Sequence, residues 1–246
     1  MSNETDRTAI VTGAGKRVGA VIAEALLANG WTVVAHVHRN SDAVPVGAVK
    51  VAADLENPAC VERIFAAAQG LAPPRLLVNN AARFAWDGPG EFSAAEFDSH
   101  MAVNLRAPVA LADRFAALQD GETDALVVNL VDSKVVAPNP DYLSYTLSKM
   151  GLAAWTELAA RAFAGRRVRF NAIAPALMLR SPGQSAENYR AMHDSNPLRR
   201  GVEPDDVVAA LFYFIDAATV TGQMLILDSG QRFLALGRDV QFLGSE

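Results

Sequence analysis

Cysteine is almost absent from the 246 residues: Cys60 stands alone, so no internal disulfide can form. It sits in the helix-spaced apolar pattern Ala59, Val61, Ile64, Phe65, where core filler competes with reactive thiol as its reading. Basic runs are equally scarce. None exceeds the length of Arg166-Arg167, and with a net charge of −5 the chain offers nothing that points to nucleic acid as a main partner. Long apolar runs are missing too. Leu126-Val-Val-Asn-Leu-Val131 and Val207-Val-Ala-Ala-Leu-Phe-Tyr-Phe-Ile215 fall far short of the ~20 residues a membrane helix needs, so no membrane partner is expected. The opening Met1-Ser-Asn-Glu-Thr-Asp-Arg-Thr8 lacks the cationic and apolar pattern of a secretory signal, which makes a cytoplasmic location the expectation.

What is present is apolar content, 51% of the chain, enough to build the core of one α/β domain spanning residues 1–246. Apolar segments of strand length alternate with segments of helical period. That pattern predicts a doubly wound parallel β-sheet of Rossmann type with helices on both faces. Strands are expected near 7–12, 31–36, 47–52, 75–79, 125–131, 166–173 and 223–228. Helices are expected near 17–29, 57–69, 94–118, 142–164 and 204–216, with a short one near 186–194. Ser93-Ala-Ala-Glu96 has the spacing of a capping box, and Pro204 suits a first helical turn. The stretch 175–203 is broken by Pro175, Pro182, Gly183, Pro197 and Gly201. It follows the sixth strand at the carboxyl edge, where ligands of such sheets bind, so it reads as a substrate lid, with a plain solvated connection as the alternative.

Two stretches carry chemistry. The first, Thr8-Ala-Ile-Val-Thr-Gly-Ala-Gly-Lys-Arg-Val-Gly-Ala20, is an apolar strand running through a glycine-bearing turn into the helical pattern Val18, Val21, Ile22, Ala25, Leu26. Such a turn lets backbone N–H groups approach a phosphate at the positive end of a helix. The second is Tyr145 and Lys149, four apart and so on one helix face, with Asp132 thirteen residues upstream at the end of the strand Ala125-Leu-Val-Val-Asn-Leu-Val131. An ammonium beside the phenol is expected to lower its pKa from ~10 toward working pH, as a general acid/base requires. Alone, Tyr-x-x-x-Lys describes many solvated helix faces, and the glycine turn upstream is what raises its weight.

Thr12-Gly13 with Gly19, Asn79-Asn80-Ala81-Ala82, Asn104, Asn129-Leu-Val-Asp132, Tyr145 with Lys149, Asn171-Ala-Ile-Ala-Pro175 and Thr221-Gly222 with Asp228-Ser-Gly230 occur in an order and spacing that resemble the short-chain dehydrogenase/reductase family along nearly the whole chain. The resemblance implies that Tyr145 donates a proton and that Lys149 tunes it and grips the nicotinamide ribose. It implies that Asn104 holds a water in a proton relay, a role that competes with a simple helix–helix hydrogen bond. Gly13, Val18 and Gly19 would border the pyrophosphate, Asp54 and Leu55 the adenine, and Asn80, Ala81, Ala82 and Pro175 the ribose and nicotinamide. Asp54 also fits as an ordinary acid near the start of a helix.

At the end of the second strand an NAD site usually carries an acid for the ribose 2′-OH. Thr32-Val-Val-Ala-His-Val-His-Arg-Asn40 has none and offers His36, His38 and Arg39, while Lys16-Arg17 fills a place where glycine is common in the family. Arg39 could fork onto a 2′-phosphate with Ser41 and His38 as hydrogen-bond partners, and Arg17 puts a cation beside the pyrophosphate, although either arginine could be a mere surface charge. Together they predict NADPH as the cofactor, and no metal is called for.

Asp132 departs from the family's Ser. Ionised, it can only accept hydrogen bonds; with its pKa raised by burial it can deliver a proton or hold an N–H edge, which suits a nitrogen heterocycle. The rival is that Ser133 takes the Ser role. With Gly13-Ala-Gly-Lys-Arg-Val-Gly19, His36-Val-His-Arg39, Asn79-Asn-Ala-Ala-Arg-Phe84 and Tyr142-x-x-Tyr145, Asp132 makes the chain similar to the pteridine and dihydromonapterin reductases. That branch implies a pterin stacked on Phe84, touched by Arg17, and flanked by Asp132, Tyr142 and Tyr145; Phe84 as plain core is the alternative. Ala82 stands where the branch often has Ser. The reading is thus an NADPH-dependent reductase of a C=N or C=O substrate, a dihydropterin favoured. A carbonyl or 3-oxoacyl reductase and a non-catalytic NADP-sensing protein are the rivals. A homotetramer or homodimer is expected from the family.

Overall fold

A computed structural model of the chain describes residues 7–180 and 183–243. Residues 1–6 of the segment read for a signal pattern, and residues 181 and 182 of the expected lid, lie outside the described residues. Seven strands, β1 (Thr8–Val11), β2 (Thr32–Val37), β3 (Val49–Ala52), β4 (Pro74–Asn79), β5 (Ala125–Leu130), β6 (Val168–Pro175) and β7 (Met224–Leu227), pair in parallel in the order β3-β2-β1-β4-β5-β6-β7. The chain leaves β1 toward β2 on one side and returns as β4 on the other. A crevice therefore opens at the carboxyl ends of β1 and β4, the place where such sheets bind ligands.

The period-2 alternation of each strand feeds both faces. Ile10, Val34, Leu77 and Val127 pack on one side with Ile64 of α2 (Cys60–Ala66) and with Leu111 and Phe115 of α4 (Ala107–Ala117). Ala9, Val11, Val33, Leu76 and Val128 pack on the other with Ile22 and Leu26 of α1 (Arg17–Ala28) and with Leu211 and Phe214 of α7 (Pro204–Asp216). Cys60 is buried in the first of these layers, 3% exposed. Each of the four residues of β7, one of the two edge strands, is half-buried.

The helix expected over 94–118 is three pieces: α3 (Ala94–Met101), a π-helical turn (Ala102–Arg106) and α4. An α-helix would join the Asn104 carbonyl to the N–H of residue 108, and Pro108 has none. The pairing slips by one residue, with the Ala107 N–H on the Ala102 carbonyl. Ser93 caps α3 by accepting from the Glu96 N–H at 3.3 Å, but Glu96 does not close the box, since its carboxylate is forked by Arg83.

Helix α5 (Leu143–Ala162) follows Tyr142, which holds a left-handed φ of 58°. Asp87 receives its start. The Leu143 N–H donates to the Asp87 carbonyl, and the N–H and hydroxyl of Ser144 donate to the two carboxylate oxygens. The short helix expected near 186–194 is α6 (Ala186–His193).

Candidate active site

The turn after β1 is bolted to the end of β4. Thr12 Oγ1 accepts from the Asn80 and Ala81 N–H groups at 3.0 Å, and Asn80 Nδ2 donates to the Thr12 carbonyl at 2.8 Å. Gly13 has φ of 68°, and its N–H donates to His36 Nδ1 at 3.2 Å. That contact leaves the proton on Nε2, which faces the Ala53 carbonyl at 3.0 Å. Burial holds the His36 pKa below its usual value, consistent with this neutral form. A Cβ on Gly19 would meet the Gly13 carbonyl oxygen at 2.1 Å, so the backbone closes as it does only because that residue is glycine. Helix α1 then begins with no side-chain cap and no acidic residue in its first turn, leaving N–H groups and a positive helix end facing the crevice. The Arg17 guanidinium donates to the Arg180 carbonyl at 3.3 Å.

The crevice is a cleft of about 820 Å³. Gly13, Arg17, Val18, Gly19, His38, Asp54 and Leu55 line one end, Asn80, Ala81 and Ala82 the middle, and Phe84, Asp132, Tyr145, Lys149 and Pro175 the other. Three of the expected site residues are not in this wall: Arg39, Asn104 and Tyr142. The Arg39 N–H donates to Asp42 Oδ2 at 2.9 Å, and Asp42 does line the cleft. The end of β2 is acid-free in sequence, yet the following turn returns a carboxylate to it. Asp54 accepts from the Glu56 N–H at 2.9 Å in a turn and does not cap α2.

At the chemical end Tyr145 Oη donates to Asp132 Oδ2 at 2.9 Å, and Asp132 Oδ1 accepts from the Lys134 N–H at 2.8 Å. Lys149 Nζ donates to the Leu130 carbonyl at 2.7 Å and lies 5.9 Å from the centre of the Tyr145 ring. The expected lowering of the Tyr145 pKa is overturned. Burial, and then the Asp132 carboxylate, push the phenol well above its ordinary value, and the ammonium bonds a carbonyl rather than the phenol oxygen. Burial also raises Asp132, against the Lys134 N–H and the Tyr145 hydroxyl, which favour its charge. Burial drops Lys149 to about 8, against the attraction of Asp132. Ser133 lines the cleft beside Asp132 but turns into a 3₁₀ turn (Ser133–Val135), and the contact to Tyr145 belongs to Asp132.

Asn104 is fully buried. Its Oδ1 accepts from the Arg83 N–H at 2.7 Å, and its Nδ2 donates to the Arg83 carbonyl and to Ser148 Oγ, each at 3.0 Å. The side chain thus pins the segment after β4 that carries Phe84 to α5. Phe84 stacks on Tyr142 at 4.2 Å and meets Tyr145 edge-on at 4.8 Å. Tyr142, 3% exposed, lies under Phe84 with its hydroxyl on Gln241 Oε1 at 2.6 Å.

The last wall was missed by sequence reasoning. Leu236, Arg238, Asp239 and Val240 line the cleft beside Lys134. They reach it through pairs about a hundred residues apart, Lys134 with Asp239 at 2.9 Å and Arg238 with Asp141 at 2.8 Å. Opposite charges at those positions were the only signal in the sequence, since the segment carries no period. From the stretch 175–203, Pro175 to Leu179 line the cleft, and Tyr189 Oη of α6 donates to the Met178 carbonyl at 2.9 Å.

Residues 13–232 match the family model described as enoyl-(acyl carrier protein) reductase, of the short-chain alcohol dehydrogenase type. The chain belongs to the short-chain dehydrogenase/reductase family. It is accordingly one of a family of NAD(P)-dependent oxidoreductases. Carbonyl reductase [NADPH] 2 of Sus scrofa is 28% identical, with 90% of this chain and 95% of that protein covered. Pteridine reductase 1 of Leishmania tarentolae is 30% identical, with 93% and 97% covered. Among solved structures, FolM alternative dihydrofolate reductase 1 from Brucella canis, complexed with NADP, superposes with a TM-score of 0.85 at 35% identity, covering 93% of this chain and 95% of that one. Among the described residues no helix is long and apolar enough to cross a membrane.

Proposed function

We propose that the chain is an NADPH-dependent reductase that adds hydride to a C=N or C=O bond, with a dihydropterin as the favoured substrate. The observation that carries the reading is the buried hydrogen bond of 2.9 Å between Tyr145 and Asp132, an acid where the family places a hydroxyl. The likeness to pteridine reductase 1 and to alternative dihydrofolate reductase 1 supports the same substrate class.

A dinucleotide fits the residues present. The uncapped start of α1 and the tight turn that Gly13 and Gly19 permit ahead of it suit a pyrophosphate, with Arg17 beside it. His38 and Arg39 are assigned to the 2′-phosphate, Asp54 and Leu55 to the adenine, Lys149 to the nicotinamide ribose, and Val18, Asn80, Ala81, Ala82 and Pro175 to the remaining wall. NADPH supplies the hydride when bound. Tyr145, kept neutral by burial and by Asp132, holds the proton that the substrate atom next to the reduced carbon receives, and Lys149 stabilises the phenolate left behind. Asp132, raised by burial, carries a proton for part of the cycle and can then donate to a ring nitrogen or, ionised, accept from an N–H edge. Phe84, fixed by stacking on Tyr142, provides a flat surface beside this pair for a planar ring. Asn104 and Tyr142 act behind the wall, Asn104 holding the segment that carries Phe84 against α5 and Tyr142 supporting the Phe84 ring. Residues 1–246 would work as one domain with 175–203 as its lid, in the cytoplasm, as a homotetramer or homodimer.

A second reading, reduction of a simple ketone, is favoured by Ser133 in the same wall and by the likeness to carbonyl reductase. NADPH oxidation over a panel of dihydropterins, quinones and ketones tests the choice. The expected result is a kcat/KM for a dihydropterin at least tenfold above that for any ketone. Ketones alone turning over would make the second reading correct. Tight NADPH binding with no turnover would make the chain a sensor.

A further inference from the structure

We propose that the Lys134–Asp239 ion pair is a latch that fastens the C-terminal segment over the substrate end of the cleft and thereby positions Asp132, making Lys134 and Asp239 positioning residues for the reaction. The inference rests on the reading of Asp132 as an acid of the cycle given above.

Lys134 Nζ is reached by two acceptors at 2.9 Å, the Asp141 carbonyl and Asp239 Oδ2, and both side chains of the ion pair are largely buried, 10% and 15% exposed. A pair this sheltered is screened little by salt and holds its geometry, unlike a surface pair. Asp141 and Tyr142, just before α5, are sewn to the segment by three more contacts: the Asp239 N–H on Asp141 Oδ2 at 2.7 Å, Arg238 on Asp141 at 2.8 Å, and Tyr142 Oη on Gln241 at 2.6 Å. Asp239 Oδ1 also receives the Gln241 N–H at 3.0 Å, so one carboxylate both latches the segment and caps the 3₁₀ turn Val240–Phe242 that stacks on Tyr142.

The contacts converge on the two functional side chains of the wall. Lys134 N–H fixes Asp132 Oδ1, and Tyr142 supports Phe84 from below. Arg238, Asp239 and Val240 themselves face the cleft, opposite the nucleotide end. The segment therefore shapes the substrate site and leaves the pyrophosphate turn untouched.

The charged and titratable groups around Asp132 are Tyr145 and Lys149 on α5, Lys134 in its own turn and Asp239 from the segment. Lys134 favours the ionised carboxylate and Asp239 opposes it, so removing one or the other must move Asp132 in opposite directions. A reaction that needs Asp132 protonated loses rate as pH rises through its pKa. Asp239→Asn is thus expected to move the alkaline limb of kcat/KM to lower pH, and Lys134→Met to move it to higher pH. Both variants are expected to raise the substrate KM roughly tenfold, about 1.4 kcal/mol, with a smaller change in kcat and no change in the affinity for NADPH. Lys134→Arg is expected to recover most of the loss. Limbs that stay put or move together, with an unchanged KM, would overturn the proposal.

A readout free of turnover separates this idea from the proposed substrate. Amide hydrogen exchange at residues 238–243 is expected to quicken severalfold in both variants; unaltered exchange there would show that the pair fastens nothing. If the unmodified protein reduces only ketones, the pterin reading fails, while KM for the ketone and the exchange rates still decide the latch.

Discussion

Lys149 sits four residues after Tyr145 and on the same face of α5, yet its ammonium spends its hydrogen bond on the Leu130 carbonyl, and the phenol spends its own on Asp132. Helical spacing makes the two side chains neighbours; it does not say which oxygen each will find. The phenol is therefore held protonated, which suits a proton donor waiting for substrate. Tyr145→Phe should lower kcat by a factor on the order of 10² to 10⁴, the usual worth of a positioned acid, and leave NADPH affinity nearly intact, as isothermal titration of both proteins would check. A near-normal kcat would remove Tyr145 from the reaction. Lys149 carries a second consequence. Its folded pKa of about 8 lies below the ordinary 10.5, so between these values the unfolded chain binds the extra proton. Stability from this group is fully present above 10.5 and is lost as pH falls through 8, a change on the order of 3 kcal/mol. Denaturant unfolding from pH 8 to pH 10 should show the unmodified protein gaining stability relative to Lys149→Met as pH rises. A gap independent of pH would mean that the lysine stays charged in the fold.

Elements were more legible than contacts, because strands and helices are written in periods of the sequence whereas the partners of a loop are not. Every expected strand and helix has a counterpart. The boundaries moved for local reasons: the helix expected from 57 starts at Cys60 because Asp54 and Asn57 hold the chain in turns, accepting from the Glu56 and Ala59 N–H groups at 2.9 Å each. The break in the helix over 94–118 was readable in Pro108, four residues after Asn104, but a proline near the middle of a long apolar period is easily passed over. Asp87, by contrast, lies in a stretch without period, and nothing in its neighbours announces that it starts α5. Its carboxylate is 2% exposed and satisfies two donors of Ser144. Asp87→Ala removes a cap and strands buried donors, a loss of roughly 2 to 3 kcal/mol, and Asp87→Asn, which keeps an acceptor for the backbone N–H, should lose less. Chemical denaturation orders the three proteins. An alanine variant as stable as the original would show that α5 does not depend on this contact.

At the scale of the molecule, the order β3-β2-β1-β4 gathers into one crevice residues that the chain scatters, and it is there that cofactor choice is made. The chain as a whole is acidic, at −5, yet Lys16, Arg17 and His38 line one end of the cleft, with Arg39 at the turn behind. The fold adds Asp42 to this group, an acid that the sequence places two residues beyond Asn40 and the turn carries back to the cleft. Its carboxylate is held by the Arg39 N–H at 2.9 Å, so on the proposed assignment of His38 and Arg39 to a 2′-phosphate the cations work against one acid. Three measurements follow from that balance. The unmodified protein should favour NADPH over NADH in kcat/KM. Arg39→Ala should cost NADPH about 1.5 to 3 kcal/mol, the worth of a charge-assisted hydrogen bond, or roughly 10- to 150-fold, and barely touch NADH. Asp42→Asn keeps an oxygen for the Arg39 N–H and removes the charge, so it should tighten NADPH severalfold and leave NADH unchanged or weaker. Equal use of the two nucleotides by the unmodified protein, or an Asp42→Asn variant that loses NADPH, would mean that the carboxylate, and not the arginines, governs this end of the cleft.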